Sequence, residues 1–432
     1  MISFGTSGIR GTFDKLNPSL AFKIGNVFAT YLGKKIGVAQ DHRITSNTIK
    51  SSLISGILAA GSDVYELGTI PSPTAEFYNQ FYKLDGLFIV TASHNPPEYN
   101  GIKIVDKSGL IIKKEEANNI LTNPLSLTNW SSTGSITYVE NKMHYILNAS
   151  KLIKSKIDKQ IIVDYGNGVG SVIFTKLATR LGLGLFEINS NIDGMFPFRN
   201  SEPTEENLNE LKQLSARFHK IGVAFDGDCD RLSMVDEYGN FVSGDKTFSL
   251  VVKYLYEEGN KGDVVTTLAT TKTVEDIARE YGFNVRHVVI GAPYIAEETN
   301  CKDVMTGGEE VGSAIFKQMS LAKDGFLSAL KILEHTESLH EAVNTLPKYY
   351  KVKKMIELTS NKQKNEYINK LSNYFDKEEK ITLDGLRVDF DDWWFILRPS
   401  GTEPLLRLFV EAKSKQKAEN KLKEIENIMN EF

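Results

Sequence analysis

Three times along this chain a short, largely β-branched run breaks into a polar or glycine-rich loop, passes into a helical stretch and returns to a second apolar run. The first copy runs from Lys35-Ile-Gly-Val-Ala through the loop Gln40-Asp-His-Arg-Ile-Thr-Ser-Asn and a helix over 48–60 to Asp63-Val-Tyr-Glu-Leu. The second joins Gln160-Ile-Ile-Val-Asp, the loop Tyr165-Gly-Asn-Gly-Val-Gly-Ser, a helix over 172–181 and Gly184-Leu-Phe-Glu-Ile. The third joins Gly262-Asp-Val-Val-Thr-Thr-Leu, Ala269-Thr-Thr-Lys-Thr, a helix over 274–281 and Asn284-Val-Arg-His-Val-Val-Ile. Strands joined by a helix lie parallel, because the helix carries the chain back to the edge where the first strand began. Such units form α/β layers, and the loops after the strands gather at one edge, where ligands bind.

From about Leu346 the pattern changes. Leu386-Arg-Val-Asp-Phe, Trp393-Trp-Phe-Ile-Leu-Arg and Leu406-Arg-Leu-Phe-Val-Glu-Ala read as strands, and a closing helix puts Leu422, Ile425, Met429 and Phe432 on one face. The expectation is an α/β protein: three similar, mainly parallel α/β domains followed by a smaller α+β C-terminal domain around a central cleft. The divisions fall at 1–145, 146–243, 244–345 and 346–432. A chain of 432 residues, 41% of them hydrophobic, can give each domain its own core. A formal charge of −4 provides no basic face, so no nucleic-acid partner is expected. The two cysteines, Cys229 and Cys301, make neither a disulfide framework nor a zinc set, and a reducing, cytoplasmic setting is expected. The opening MISFGTSGIRG lacks a secretory pattern, and no apolar run approaches the ~18 residues of a membrane span.

Four loops carry chemistry. Ser93, in TASHNPPEYNGIKI, follows the apolar run Leu87 to Val90, and Pro96-Pro97 stop regular structure beyond it, so a stiff, exposed loop is expected. Alone it reads most simply as a turn serine, and no G-x-S-x-G elbow supports a hydrolase nucleophile. Asp226, Asp228 and Asp230 follow the run Ile221-Gly-Val at alternate positions; in extended backbone they would converge while Gly227 and Cys229 point away. Three convergent carboxylates need a cation, and hard oxygen ligands favour Mg²⁺. An EF-hand is excluded because Arg231 replaces the turn glycine and the flanks read as strands. Arg398, Ser400, Gly401, Thr402 and Arg407 offer the positive charge and donors that a phosphate dianion takes. Glu309 and Glu310, set between glycines, can accept hydrogen bonds from sugar hydroxyls. Together these loops point to phosphoryl transfer on a polyhydroxylated substrate.

TASHNPPEYNGIKI, DGDCDR, GGEEVGS and RPSGTEP, with the opening FGTSGIRG and the stretch DGMFPFRNSEPTEENL over 193–208, resemble the α-D-phosphohexomutase superfamily of phosphoglucomutases, phosphomannomutases and phosphoglucosamine mutases. The resemblance implies that Ser93 is carried as phosphoserine. It implies that Asp226, Asp228 and Asp230 hold Mg²⁺ together with an oxygen of the Ser93 phosphate, and that Arg231 supports that phosphoserine. Arg398, Ser400, Gly401, Thr402 and Arg407 would dock the phosphate of a small-molecule sugar phosphate, Glu309 would read its hydroxyls, and Lys103 and Arg10 would stand near the transferring group. The implied reaction moves phosphate between C1 and C6 through a bisphosphorylated sugar in a cleft closed by the fourth domain. Glucose and mannose phosphates are the first expectation; phosphoglucosamine or phosphopentose conversion, a phosphatase, and a non-catalytic sugar-phosphate binder are the alternatives.

Several positions depart from the family's pattern. Val311 stands where Ser or Asn is frequent and Ser313 where His is frequent. Val289 replaces a lysine, Cys229 replaces a glycine of the metal loop, and Gln40 and His42 alter the loop Ala39-Gln-Asp-His-Arg43. These leave Ser93 and the aspartates intact and bear on the choice of sugar.

Overall fold

The computed structural model describes residues 4–5, 7–358, 360, 362–399 and 404–431. The first sheet runs in the order Phe4–Gly5, Gly8–Thr12, Tyr99–Asp106, Gly86–Val90, Lys35–Gln40, Asp63–Thr69 and Ile136–Tyr138. Its last four strands are parallel, as the crossover units require. The first three add on antiparallel, because the loop from Val90 to Tyr99 is too short for a crossover helix. Gly86–Val90 is buried on both faces: Leu87 and Ile89 enter one apolar cluster, and Phe88 and Val90 enter another beneath the helices Pro18–Leu32 and Ser46–Ala59. Those two helices approach backbone to backbone. A Cβ on Gly25 would sit 2.2 Å from the Leu53 carbonyl oxygen, and one on Gly56 2.1 Å from that of Phe22.

The second sheet, Phe241–Val242, Leu232–Val235, Gly222–Phe225, Gln160–Asp164 and Gly184–Ile188, again pairs a parallel half with an antiparallel edge. The third has three parallel strands, Val285–Val288, Asp263–Thr267 and Val304–Gly307, beside a small hairpin of Ala314–Ile315 and Lys323–Asp324. The fourth is antiparallel throughout: Tyr350–Glu357, Leu405–Ala412, Trp393–Pro399, Leu386–Asp389 and Glu379–Ile381, with the helices Gln363–Tyr374 and Lys415–Asn430. The expected helix over 172–181 opens instead as a 3-10 turn, Val169–Val172, and becomes α-helical over Phe174–Arg180. On the closing helix Ile425 and Met429 are buried and Leu422 packs beside them; Phe432 lies outside the described residues.

One apolar cluster links the first three layers, from Leu87 and Ile89 through Val163 and Phe225 to Phe248 and Leu327. The fourth layer has its own core around Leu386, Phe395, Leu408 and Ile425. It meets the third through a small cluster of Leu268, Trp394 and Ile396, alongside the ion pairs Lys351–Asp245 and Arg387–Glu275. The contact is thus mainly polar, with a small apolar part.

Candidate active site

Ser93 has φ +50°, in the left-handed region that a non-glycine residue enters at a cost of about 1–2 kcal/mol. Neighbouring groups hold it there. Thr91 Oγ1 accepts the Ser93 amide at 2.9 Å, and the fully buried Arg43 guanidinium donates to the carbonyls of Ser93, Asn95, Pro96 and Tyr99 while pairing with Asp41 at 3.1 Å. The loop is held firmly and its tip, Pro96 and Glu98, is exposed as expected, but the serine is not: Ser93 is 1% accessible, and its Oγ donates to Asp226 Oδ2 at 2.7 Å. The cause is the loop of Asp226, Asp228 and Asp230 in the second sheet, which folds over it. Gly227 makes the approach possible, since a Cβ there would lie 2.9 Å from the Ser93 carbonyl oxygen, and Ser201 Oγ bridges the two loops.

Asp226, Asp228 and Asp230 do converge, with one carboxylate oxygen from each lying within 4.8 Å of the others. The means is a turn between two antiparallel strands rather than strand alternation, because Cys229 adopts φ +64°. Its thiol points away from the carboxylates into the apolar core, within 3.6 Å of the Asp226 carbonyl oxygen. Lys103 Nζ sits 2.7 Å from both Asp228 and Asp230. Burial, reinforced by Asp230 and Asp228, pushes the Asp226 carboxyl well up. Burial acts on Asp230 in the same sense, but Lys103, Lys323 and Arg231 outweigh it and hold Asp230 below the usual carboxylate range. One oxygen, Asp228 Oδ1, is buried with no hydrogen-bond partner. A buried carboxylate oxygen without a partner, on a loop where three acids converge, suits a hard divalent cation. Glu258, Glu334 and His335 also converge, but Lys331 pairs with both glutamates at 2.6 and 2.9 Å and saturates them.

A cavity of about 360 Å³ opens beside this loop, lined by Ser93, Arg10, Lys103, Asp230, Arg231 and Glu309. Arg10 bonds Asn95 Oδ1 at 3.0 Å. Arg231 pairs with Glu202, donates its amide to Asp226, and places Nη2 3.4 Å from His94 Nε2. A guanidinium only donates, so Nε2 carries the lone pair and the His94 proton lies on Nδ1, facing Ser93 Oγ at 3.4 Å. Burial, then Arg231 and Arg10, depress His94 to about 3 and keep it neutral.

The paired glutamates separate. Glu309 enters this cavity, held by Lys323 at 2.5 Å, whereas Glu310 accepts from Thr267 Oγ1 and faces a second cavity toward the fourth domain. Ser313 braces the acidic loop by donating to the Asp230 carbonyl. The sequence pattern did not single out Lys323, Arg43, Ser72 or Glu76. Each looks like an ordinary cap, loop or helix residue until partners from distant elements surround it. Arg398 and Arg407 face each other across adjacent strands, with Arg398 bonded to Asp384 at 2.8 Å. Neither lines the Ser93 cavity, because both ride on the separate fourth layer. Ser400, Gly401 and Thr402 lie outside the described residues.

The chain matches the models of phosphoglucomutase/phosphomannomutase α/β/α domain I over residues 1–128, domain II over 136–239, domain III over 243–351 and the C-terminal domain over 344–428. It is 36% identical over 440 residues to a probable phosphoglucosamine mutase of Pyrococcus horikoshii, covering 99% of this chain and 97% of that protein. It is 36% identical over 444 residues to a phosphoglucomutase/phosphomannomutase of Thermococcus kodakarensis, covering 96% and 95%. Among solved structures, a phosphoglucomutase/phosphomannomutase family protein from Burkholderia thailandensis superposes with a TM-score of 0.89 at 27% identity, covering 99% of this chain and 98% of the other.

Proposed function

The chain belongs to the phosphoglucomutase/phosphomannomutase family, and from that premise we propose that this phosphohexomutase moves phosphate between C1 and C6 of glucosamine phosphate, with Ser93 as the phosphoryl carrier. The observation that carries the reading is Ser93 Oγ held 2.7 Å from Asp226 at the mouth of a three-carboxylate cluster, beside a cavity lined with arginine and lysine. The sugar is taken from the relatives, among which phosphoglucosamine mutases recur at 34–36% identity. This replaces the glucose or mannose phosphate that the motifs alone suggested first.

Phosphorylated Ser93 gives its phosphoryl group to the free hydroxyl of the bound sugar phosphate. The Oγ–P bond breaks, a sugar O–P bond forms, and the hydroxyl proton leaves. The bisphosphorylated sugar then turns, presents its other phosphate, and returns that group to Ser93. Asp226, Asp228 and Asp230 would hold Mg²⁺, which would supply the charge neutralisation that the transferring oxygens require. Arg10 and Lys103, both cationic and without a lone pair to accept a proton, face the reacting end and stabilise its charge, while the hydroxyl proton ends on the Ser93 Oγ that the phosphoryl group leaves, the same hydroxyl that donates to Asp226. Arg231 is aimed at the phosphoserine, and Glu309, its rotamer set by Lys323, accepts from sugar hydroxyls. Movement of the fourth domain brings Arg398, Ser400, Gly401, Thr402 and Arg407 onto the non-reacting phosphate and excludes water. Holding reactants in line in this way is worth ~7–11 kcal/mol of barrier at best.

The test is ³¹P NMR with Mg²⁺, a trace of sugar bisphosphate and the 1-phosphates of glucosamine, glucose, mannose and ribose. Conversion of glucosamine 1-phosphate to the 6-phosphate with the highest kcat/KM, abolished by Ser93→Ala, is expected. Release of inorganic phosphate alone would replace this reading with a phosphatase. Preference for glucose 1-phosphate would return the sugar to the phosphoglucomutase reading.

A further inference from the structure

The helix Ser72–Phe81 points its first residue at the metal loop. Ser72 Oγ donates to Asp228 Oδ2 at 2.5 Å and lies 3.3 Å from Lys103 Nζ. Four residues on, one turn along the same face, stands Glu76. Glu76 lines the cavity of Ser93, Arg10 and Lys103, is only 4% exposed, and makes no hydrogen bond or ion pair with any described residue, feeling Lys103 only as a more distant charge. Three acids line that cavity. Asp230 is paired with Lys103 and Glu309 with Lys323, so Glu76 alone among the described ones lacks a partner.

A buried carboxyl with no hydrogen-bonded countercharge is costly to ionise, so Glu76 by itself holds its proton, and a cation brought by a ligand would supply the missing countercharge. Burial pushes Glu76 up to about 8 despite Lys103, so an arriving cation would stabilise its charged form. On a hexose phosphate the only cation is an amine, and the amine of glucosamine sits on C2, next to the C1 oxygen. We infer that Glu76 is a specificity residue whose carboxylate receives the 2-ammonium group of an amino-sugar phosphate when the C1 end lies at Ser93. The inference rests on the mutase reading above and deepens it. The geometry has two consequences. An N-acetylated sugar, whose amide carries no charge, leaves Glu76 buried and unpaired and is disfavoured. The effect of Glu76 also falls mainly on the half-reaction at C1, since turning the sugar to present C6 carries the amine away.

The experiment compares wild type, Glu76→Gln and Glu76→Asp with the 1-phosphates of glucosamine, glucose and N-acetylglucosamine. In parallel, calorimetry measures binding of the corresponding 6-phosphates to the Ser93→Ala protein with and without Glu76→Gln. A charge-assisted bond replaced by a neutral one lowers the glucosamine-to-glucose ratio of kcat/KM by about tenfold or more, with the affinity ratio following and Glu76→Asp retaining part of the preference. An unchanged ratio in both measurements overturns the inference. So does an unchanged ratio accompanied by weaker Mg²⁺ binding, which would make Glu76 a support of the metal loop. A wild-type protein that turns over glucose 1-phosphate but not glucosamine 1-phosphate would sink the proposed substrate instead. The binding ratio, which needs no turnover, judges Glu76 independently.

Discussion

Arg43 is the residue whose loss should be felt most in the serine loop. Its guanidinium is fully buried and makes five hydrogen bonds: one to Asp41 and four to the carbonyls of Ser93, Asn95, Pro96 and Tyr99, at 2.5 to 3.1 Å. Arg43→Met keeps much of the side chain's length but strands the Asp41 carboxylate, itself 1% exposed, without a countercharge. Breaking a buried pair from one side costs about 3–5 kcal/mol. The loop carbonyls add less, because most stand near enough to solvent to recover water. Hydrogen exchange of the peptide spanning 91–101 reads this directly: about 4 kcal/mol of lost local stability speeds exchange roughly a thousandfold. Adding Asp41→Asn removes the stranded charge and keeps an oxygen for Ser46 Oγ and the Arg43 amide, so the double variant should regain about half of the protection. Exchange within threefold of wild type for Arg43→Met, or no recovery in the double variant, would refute the argument that a buried charge pair holds the loop.

Cys229→Gly should melt above Cys229→Ala, reversing the usual order, because at φ +64° glycine relieves about 1 kcal/mol of backbone strain that alanine keeps; the usual order would show the turn to be unstrained. Asp228→Asn should weaken Mg²⁺ binding about tenfold or more by calorimetry, since it removes a charge from a hard-oxygen set; unaltered affinity would place the metal elsewhere. Glu275 is held at about 2, below its ordinary 4.5, because hydrogen bonding from His287 and the charge of Arg387 outweigh burial. A depressed carboxyl stabilises above its unfolded value and loses that contribution as pH falls. The shift corresponds to about 3 kcal/mol of stability lost between pH 4.5 and 2; the His287 share lies within the third domain and the Arg387 share crosses to the fourth, so their interface should weaken over the same range by part of that amount. Limited proteolysis near 346–350 with an acid-resistant protease would detect it, and Glu275→Gln should flatten the dependence.

The repeated strand–loop–helix–strand units, the change of character near Leu346 and the loops of Ser93, Asp230 and Glu309, which the fold brings to one cavity, were legible in the sequence. All of these are local. A helix period, a strand ending in glycines or prolines, and three acids at alternate positions each belong to a few consecutive residues. Even the trio was read correctly as convergent, although a turn through Cys229, and not an extended strand, brings it together.

Tertiary structure alone decided what the loops do to one another. Ser93 and Asp226 are 133 residues apart, and Lys103 and Asp228 are 125 apart. No local pattern says that Ser93 will be buried, that Arg43 will hold the carbonyls of its loop, or that Lys323 will clamp Glu309. Nor does any local pattern leave Glu76 without a partner in the wall of the same cavity. Burial and pairing are properties of surfaces brought together by separate layers, and they set the charge, rotamer and accessibility of each side chain. The sequence by itself determined which chemical groups the chain carries and in what local frames; the packing of four layers determined which of those groups meet.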